Sequence, residues 1–220
     1  MNKKCVIVSG GSIDDSFAMQ MIENIKPDCV IGVDSGLNFL YRNRVVPTHI
    51  VGDFDSVSSE VIAYYKSMKD IPIREFNPVK DATDTEIAVC LAVELGVKEL
   101  FLLGATGTRL DHVMANIQIL KIALDYGIHA FILDGCNRIS LWEKKINLRK
   151  SERFGKYFSI FPLGGVVPDV SIEGAEYPLE HYRMSPFESR CVSNEYKDDE
   201  VVITFPKGTI VLMETRDKQQ

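Results

Sequence analysis

The chain is expected to be α/β, with a mainly parallel sheet carrying helices on both faces, followed by an antiparallel β-sandwich domain. Short apolar runs alternate with helical patterns up to about Asp134, which implies parallel strands joined by crossover helices. Beyond that point the helical periodicity stops. Short β-type segments separated by turn residues take over, the mark of an antiparallel sandwich or barrel. These observations set two domains, 1–135 and 136–220. The second is small for a self-sufficient fold and is expected to pack on the first domain or on a second subunit.

In the first part the candidate strands are Cys5–Ser9, Cys29–Val33, His49–Val51, Ile71–Glu75, Glu99–Leu103 and His129–Leu133. The helical stretches between them are Asp14–Ile25, Gly36–Asn43, Ser58–Met68, Thr83–Leu95 and Leu110–Tyr126. Thr83-x-x-Glu86 has the form of a capping box and should start a helix. Leu110, Met114, Ile117, Leu120 and Leu124 recur at helical spacing and predict one buried face. In the second part the candidate strands are Arg138–Trp142, Tyr157–Phe161, Val167–Ile172, Cys191 with Val192, Val201–Phe205 and Thr209–Met213. Pro162–Gly165, Glu173-Gly174 and Pro206–Gly208 supply turns.

Composition narrows the function classes. The hydrophobic share of 45% provides a real core, and the net charge of -6 argues against a nucleic-acid surface. No window reaches the apolar length of a membrane span. The run Cys5–Val8 is too short for a signal segment and meets Ser9-Gly10-Gly11 at once, so it reads as a strand. Cys5, Cys29, Cys90, Cys136 and Cys191 are scattered, with no C-x-x-C pair, and fit free thiols in a reducing cytoplasm.

The chemistry concentrates where strands end. Gly52-Asp53-Phe54-Asp55-Ser56 sets two carboxylates after the run Ile50-Val51. Lys80-Asp81-Ala82-Thr83-Asp84 sets Asp81 and Asp84 at the mouth of a helix, beside a lysine able to bind an anion. Carboxylates of this kind also suit turns and helix starts. Thr83 already serves as a cap, however, and Gly52 lets the backbone approach a ligand closely. In parallel sheets ligands bind beyond the carboxyl ends of the strands, and all these loops fall on that edge. Clustered carboxylates there suit Mg²⁺, which prefers oxygen and accompanies phosphate substrates. Gly104-Ala105-Thr106-Gly107 can cradle an anion with backbone amides, and Arg109 can grip phosphate with two N–H groups. Neither a P-loop nor a dinucleotide fingerprint is present.

Taken together, these motifs resemble the thiamine pyrophosphokinase family. The resemblance runs through Val33–Asn38, Gly52–Ser56, Asp81–Glu86, Gly107–His112 with Asn116, and Val192–Glu195. It implies pyrophosphoryl transfer from ATP to thiamine by a homodimer using Mg²⁺. Asp53, Asp55 and Asp84 would be the metal ligands, with Asp81 beside them as a catalytic carboxylate. Asp34, Gly36, Gly104, Thr106, Arg109, Asp111 and Asn116 would form the nucleotide pocket. Lys80, Ser193 and Asn194 would serve substrate, the last two by touching thiamine from the β-domain. Two rival functions share part of the pattern: a metal-dependent nucleotide phosphohydrolase and a non-catalytic nucleotide-sensing module.

Overall fold

The computed structural model describes residues 2–68, 71–75 and 82–218. The chain forms two compact units, Met1–Gly135 and Cys136–Gln220.

In the first unit the strands are β1 (Lys4–Val8), β2 (Cys29–Val33), β3 (His49–Gly52), β4 (Ile73–Glu75), β5 (Glu99–Leu103) and β6 (His129–Leu133). They lie in the order β6-β5-β1-β2-β3-β4, and every neighbouring pair is parallel. All five residues of β2 are buried, so both faces of the sheet are covered. The covering helices are α1 (Asp15–Ile25), α2 (Gly36–Arg42), α3 (Ser59–Ser67), α4 (Asp84–Glu94) and α5 (Leu110–Asp125). The chain moves outward from β1 through β4 and then returns to β5 on the other side of β1. The strand order therefore reverses between β1 and β5, where open α/β sheets form a ligand crevice.

Local chemistry fixes the helix ends. Asp14 accepts the Phe17 N–H, and Thr83 Oγ1 accepts the Glu86 N–H, each satisfying a donor that the first helical turn leaves open. Arg42 grips Asp15 with two N–H groups at 2.6 and 2.5 Å, tying α2 to the start of α1. That guanidinium holds the Asp15 carboxyl down at about 2. The α5 stripe departs from expectation at its start. Ile117 and Leu120 are buried, but Leu110 and Met114 are 76% and 57% exposed. Helical spacing identifies an apolar face; it does not say whether the same unit covers it.

The second unit contains β7 (Asn137–Trp142), β8 (Ile146–Arg149), β9 (Tyr157–Leu163), β10 (Val167–Glu173), β11 (Leu179–Met184), β12 (Asn194–Glu195), β13 (Glu200–Thr204) and β14 (Thr209–Thr215). One antiparallel set runs β12-β9-β14-β7 and a four-stranded sheet runs β11-β10-β13-β8. Phe158, Ile160, Ile210 and Leu212 from the first set share one core with Ile146, Val170, Ile172, Val201 and Ile203 from the second. Two sheets closing on a common apolar layer make a sandwich. The strand expected at Cys191-Val192 begins instead at Asn194. Ser193 adopts a left-handed φ of 57°, which turns the chain before pairing resumes. Strands β8 and β11 had no counterpart in the sequence reading. In β11 only Leu179 and Met184 are buried and the register shifts twice against β10, so no alternation marks it.

One polar group crosses the sandwich's apolar logic. Glu214 on β14 is 3% exposed and sits opposite Arg138 on β7. Arg138 donates to both of its oxygens at 2.6 Å, and the Tyr196 hydroxyl and Phe154 N–H add further donors. Removing one member of a buried ion pair strands the other. Glu214→Ala is expected to lower unfolding stability by about 3 kcal/mol in denaturant titration. A loss below about 1 kcal/mol, the range of exposed pairs, would show that Arg138 rehydrates freely.

Candidate active site

The ends of β1 and β5 are joined beyond the strands themselves. The Ser9 N–H donates to Leu103 O at 2.8 Å, Gly11 N–H to Gly104 O at 2.7 Å and Ser12 N–H to Thr106 O at 2.7 Å. Gly11 is required by this contact. A Cβ there would lie 2.2 Å from Thr106 O and 2.5 Å from Gly104 O, both backbone atoms. Asn116 on α5 is buried and donates to Ala105 O at 2.7 Å, and Thr106 Oγ1 donates to Asp134 at 2.8 Å. The Ser9 hydroxyl meets Thr85 Oγ1 at 3.0 Å and links the loop to α4.

These loops border a cavity of about 740 Å³ at the carboxyl edge of the sheet, shared with the ends of β2 and β3 and the start of α4. The structure brings Asp34, Asp53, Asp55, Asp84, Gly104, Thr106, Arg109 and Asn116 to its wall. Gly36 and Asp111 lie just off it. Gly36 packs where a Cβ would fall 2.1 Å from Val8 O, so its part is close approach of α2 to β1. Lys80 and Asp81 lie outside the described residues. Sequence reasoning did not assign Ser12, Ser56, Thr85, Thr108 or His112 to the site, yet all border the cavity. Small hydroxyl residues are common in turns, and a histidine on a helix reads first as packing or capping; only the fold gathers these.

The aspartate pair is set by strain. Phe54 has a left-handed φ of 65° and its ring is buried in the unit's core. A non-glycine residue held there costs roughly 1–2 kcal/mol, offset by burial of the aromatic ring. With Phe54 anchored inward, its neighbours Asp53 and Asp55 both reach the cavity wall. Gly52, at φ 146°, makes room for Asp34, whose Oδ1 lies 2.0 Å from where a Cβ would stand.

Arg109 and Asp111 are exposed and paired. Arg109 donates through Nε at 3.3 Å and Nη2 at 2.6 Å. That guanidinium, and then the His112 N–H, hold the Asp111 carboxyl down at about 2. Two of the five guanidinium N–H groups are thus used by Asp111, leaving two on Nη1 and one on Nη2 for an anion.

In the second unit a cavity of about 350 Å³ is bordered by Tyr177, Leu179, Arg190, Cys191, Val192 and Asn194 among others. Ser193 does not border it; its N–H donates to Ser159 Oγ at 2.9 Å within the left-handed turn. Tyr177, 66% exposed, is an aromatic wall that sequence reasoning did not single out.

Comparison with known proteins identifies the family. The family model described as the thiamin pyrophosphokinase catalytic domain matches residues 21–132, and the one described as the thiamin pyrophosphokinase vitamin B1 binding domain matches residues 143–210. The chain belongs to the thiamin pyrophosphokinase family. Thiamine pyrophosphokinase of Bacillus subtilis (strain 168) is 28% identical over 189 residues, covering 85% of this chain and 87% of that protein. The crystal structure of thiamine pyrophosphokinase from Bacillus subtilis superposes with a TM-score of 0.87 at 26% identity, covering 98% of this chain and all of that one. That of thiamin pyrophosphokinase from Geobacillus thermodenitrificans gives 0.83 at 27% identity, over 98% and 99% of the two chains. The first cavity lies largely within the stretch matched by the family's catalytic model, and the second entirely within that matched by its vitamin B1 binding model.

The depressed Asp111 carboxyl has a direct consequence. Its folded value lies below the ordinary 3.8, so the Arg109 pair persists through the neutral range and breaks only as pH falls through about 2. NMR titration of the carboxyl carbon should give a midpoint near 2, moving back towards 3.8 in Arg109→Ala. A wild-type midpoint near 3.8 would mean the pair does not form in solution.

Proposed function

We propose that this enzyme, a thiamine pyrophosphokinase, binds ATP in the acid-rimmed cavity between β1 and β5 and transfers its terminal pyrophosphoryl group to thiamine. The observation that carries the site assignment is that cavity, where carboxylates, a glycine-bearing loop and Arg109 meet at the strand-order reversal. The thiamine hydroxyethyl oxygen attacks the β-phosphorus. A new O–P bond forms, the bond from the β-phosphorus to the α,β-bridging oxygen breaks, and AMP leaves with that oxygen. The hydroxyl proton passes to a carboxylate, for which Asp84 at the start of α4 is the candidate among the described residues. Arg109 offers its remaining N–H groups to phosphate oxygens, and the 104–107 loop holds the nucleotide in place.

Asp53, Asp55 and Asp84 are the residues that would hold Mg²⁺. Among the described residues no three His, Cys, Asp or Glu side chains form a metal cluster on their own. Mg²⁺ rarely needs one: it is commonly bound by one or two carboxylates, with water and substrate phosphate oxygens completing its shell. Asp53, Asp55 and Asp84 all line the cavity, so one or two of them at a time can supply carboxylates in that mode. When bound, the cation supplies charge neutralisation at the phosphates.

Thiamine is assigned to the cavity of the second unit, presented to the nucleotide by the partner copy of the proposed homodimer. Tyr177 offers an aromatic surface, and Glu176 a carboxylate suited to a cationic ring. Arg190, the unfavourable charge there, stacks on Tyr182 with its guanidinium 4.8 Å from the ring centroid. A homodimer is supported by the exposed apolar pair Leu110 and Met114 at the start of α5, beside Arg109.

With ATP, Mg²⁺ and thiamine, the expected products are AMP and thiamine diphosphate in equal amounts. ADP would make the enzyme an ordinary kinase, and AMP formed without thiamine would make it a hydrolase. Asp53→Asn and Asp84→Asn should each lower kcat about 100-fold, roughly 3 kcal/mol of transition-state stabilisation, with Tm unchanged. Near-normal turnover at saturating Mg²⁺ would remove that residue from the site. Sedimentation should give twice the chain mass of 24.7 kDa, reduced towards one copy by Leu110→Asp with Met114→Asp. A monomeric wild type would exclude the dimer.

A further inference from the structure

Asn194 is buried at 5% exposure, yet it borders the cavity assigned to thiamine. Its side-chain amide is already engaged. Oδ1 accepts the Tyr177 N–H at 3.0 Å and the Glu195 N–H at 2.9 Å, and Nδ2 donates to Tyr177 O at 2.8 Å. An amide oxygen has two lone pairs and an amide nitrogen two N–H groups, so three of its four hydrogen-bonding positions are spent on main chain. Two of these bonds close on one peptide residue, Tyr177, from both its donor and its acceptor.

We infer that Asn194 is a positioning residue that fixes the backbone of Tyr177, and with it the aromatic wall of the cavity, and that it does not act as a ligand contact. The surrounding chain is arranged for this. Segment 174–176 is joined to 195–198 by main-chain bonds: Glu176 N–H to Glu195 O at 3.0 Å, and the Lys197 and Asp198 N–H groups to Gly174 O at 3.1 and 2.9 Å. Ala175 also bridges Tyr196. Asn194 extends that attachment one step further, to the residue whose side chain is 66% exposed at the cavity. The left-handed turn at Ser193, anchored on Ser159, delivers the amide inward. A tyrosine held in this way presents its ring without paying for loop ordering when a flat ligand arrives. The inference rests on the proposed seating of thiamine in this cavity.

A double-mutant cycle separates positioning from contact. Tyr177→Ala should raise the thiamine KM about tenfold and leave the ATP KM unchanged. Asn194→Ala should raise the thiamine KM about fivefold, again without touching the ATP KM. The double variant should match Tyr177→Ala alone, because with the ring gone there is nothing left to position. Asn194→Ser also loses the bonds to Tyr177 but keeps a small polar side chain; it should raise the thiamine KM by a similar factor, and it carries the cycle if the alanine variant does not fold. Multiplying effects in the double variant would mean that Asn194 contacts thiamine itself, and an unchanged thiamine KM in both Asn194 variants would mean it has no role in the site. Both results overturn the inference. An unchanged thiamine KM in Tyr177→Ala would instead overturn the seating of thiamine in this cavity and remove the basis of the inference.

Discussion

The hydrogen-bonded ladder between β1 and β5 continues past the ends of the strands, and the candidate active site depends on that continuation. Inside the sheet, Cys5 to Val8 pair with Leu100 to Leu103 as any parallel neighbours do. Beyond it, Ser9, Gly11 and Ser12 donate in turn to Leu103, Gly104 and Thr106. Two loops that leave β1 and β5 at the reversal of strand order would otherwise be separate and mobile. Joined, they form one wall of the larger cavity. The absence of a side chain at Gly11 allows this, since backbone oxygens occupy the space on that side. Asn116, Thr106 and Ser9 then brace the joined loops from α5, Asp134 and α4.

The acidic wall follows from a different compromise. Burying Phe54 satisfies the core, and the left-handed turn it requires is the strain that brings Asp53 and Asp55 to one cavity. The second unit uses polar burial for the same end. Glu214 and Arg138 lock β14 against β7, while Asn194 spends its amide on the backbone of Tyr177. In both units a costly local feature is held by its surroundings and fixes the geometry of a cavity.

Much of this was legible in the sequence, for physical reasons. A carboxylate just after an apolar run marks a strand end, so Asp34 and Asp53 fall on one edge from the sequence alone, while Asp84 is placed by the cap that starts its helix. Thr83 announced its helix because a cap is a local interaction. What was not legible is non-local. Nothing near Gly11 reveals that Gly104 and Thr106 press against it. Leu110 and Met114 have the spacing of a buried face but stand exposed, because periodicity does not identify the covering surface. Strand β11 escaped notice because its register shifts remove the alternation that marks strands. The bonds from Asn194 to the peptide of Tyr177 leave no mark in the sequence because that peptide belongs to a different loop of the unit.

Hydrogen–deuterium exchange with and without a non-hydrolysable ATP analogue and Mg²⁺ tests most directly whether the β1–β5 junction is the nucleotide site. New protection should concentrate in residues 9–12, 34–36 and 104–109, and Gly11→Ala should abolish it while β2 and β5 remain as protected as in the wild type. Protection confined to the second unit, or protection of the first unit that survives Gly11→Ala unchanged, would contradict the account.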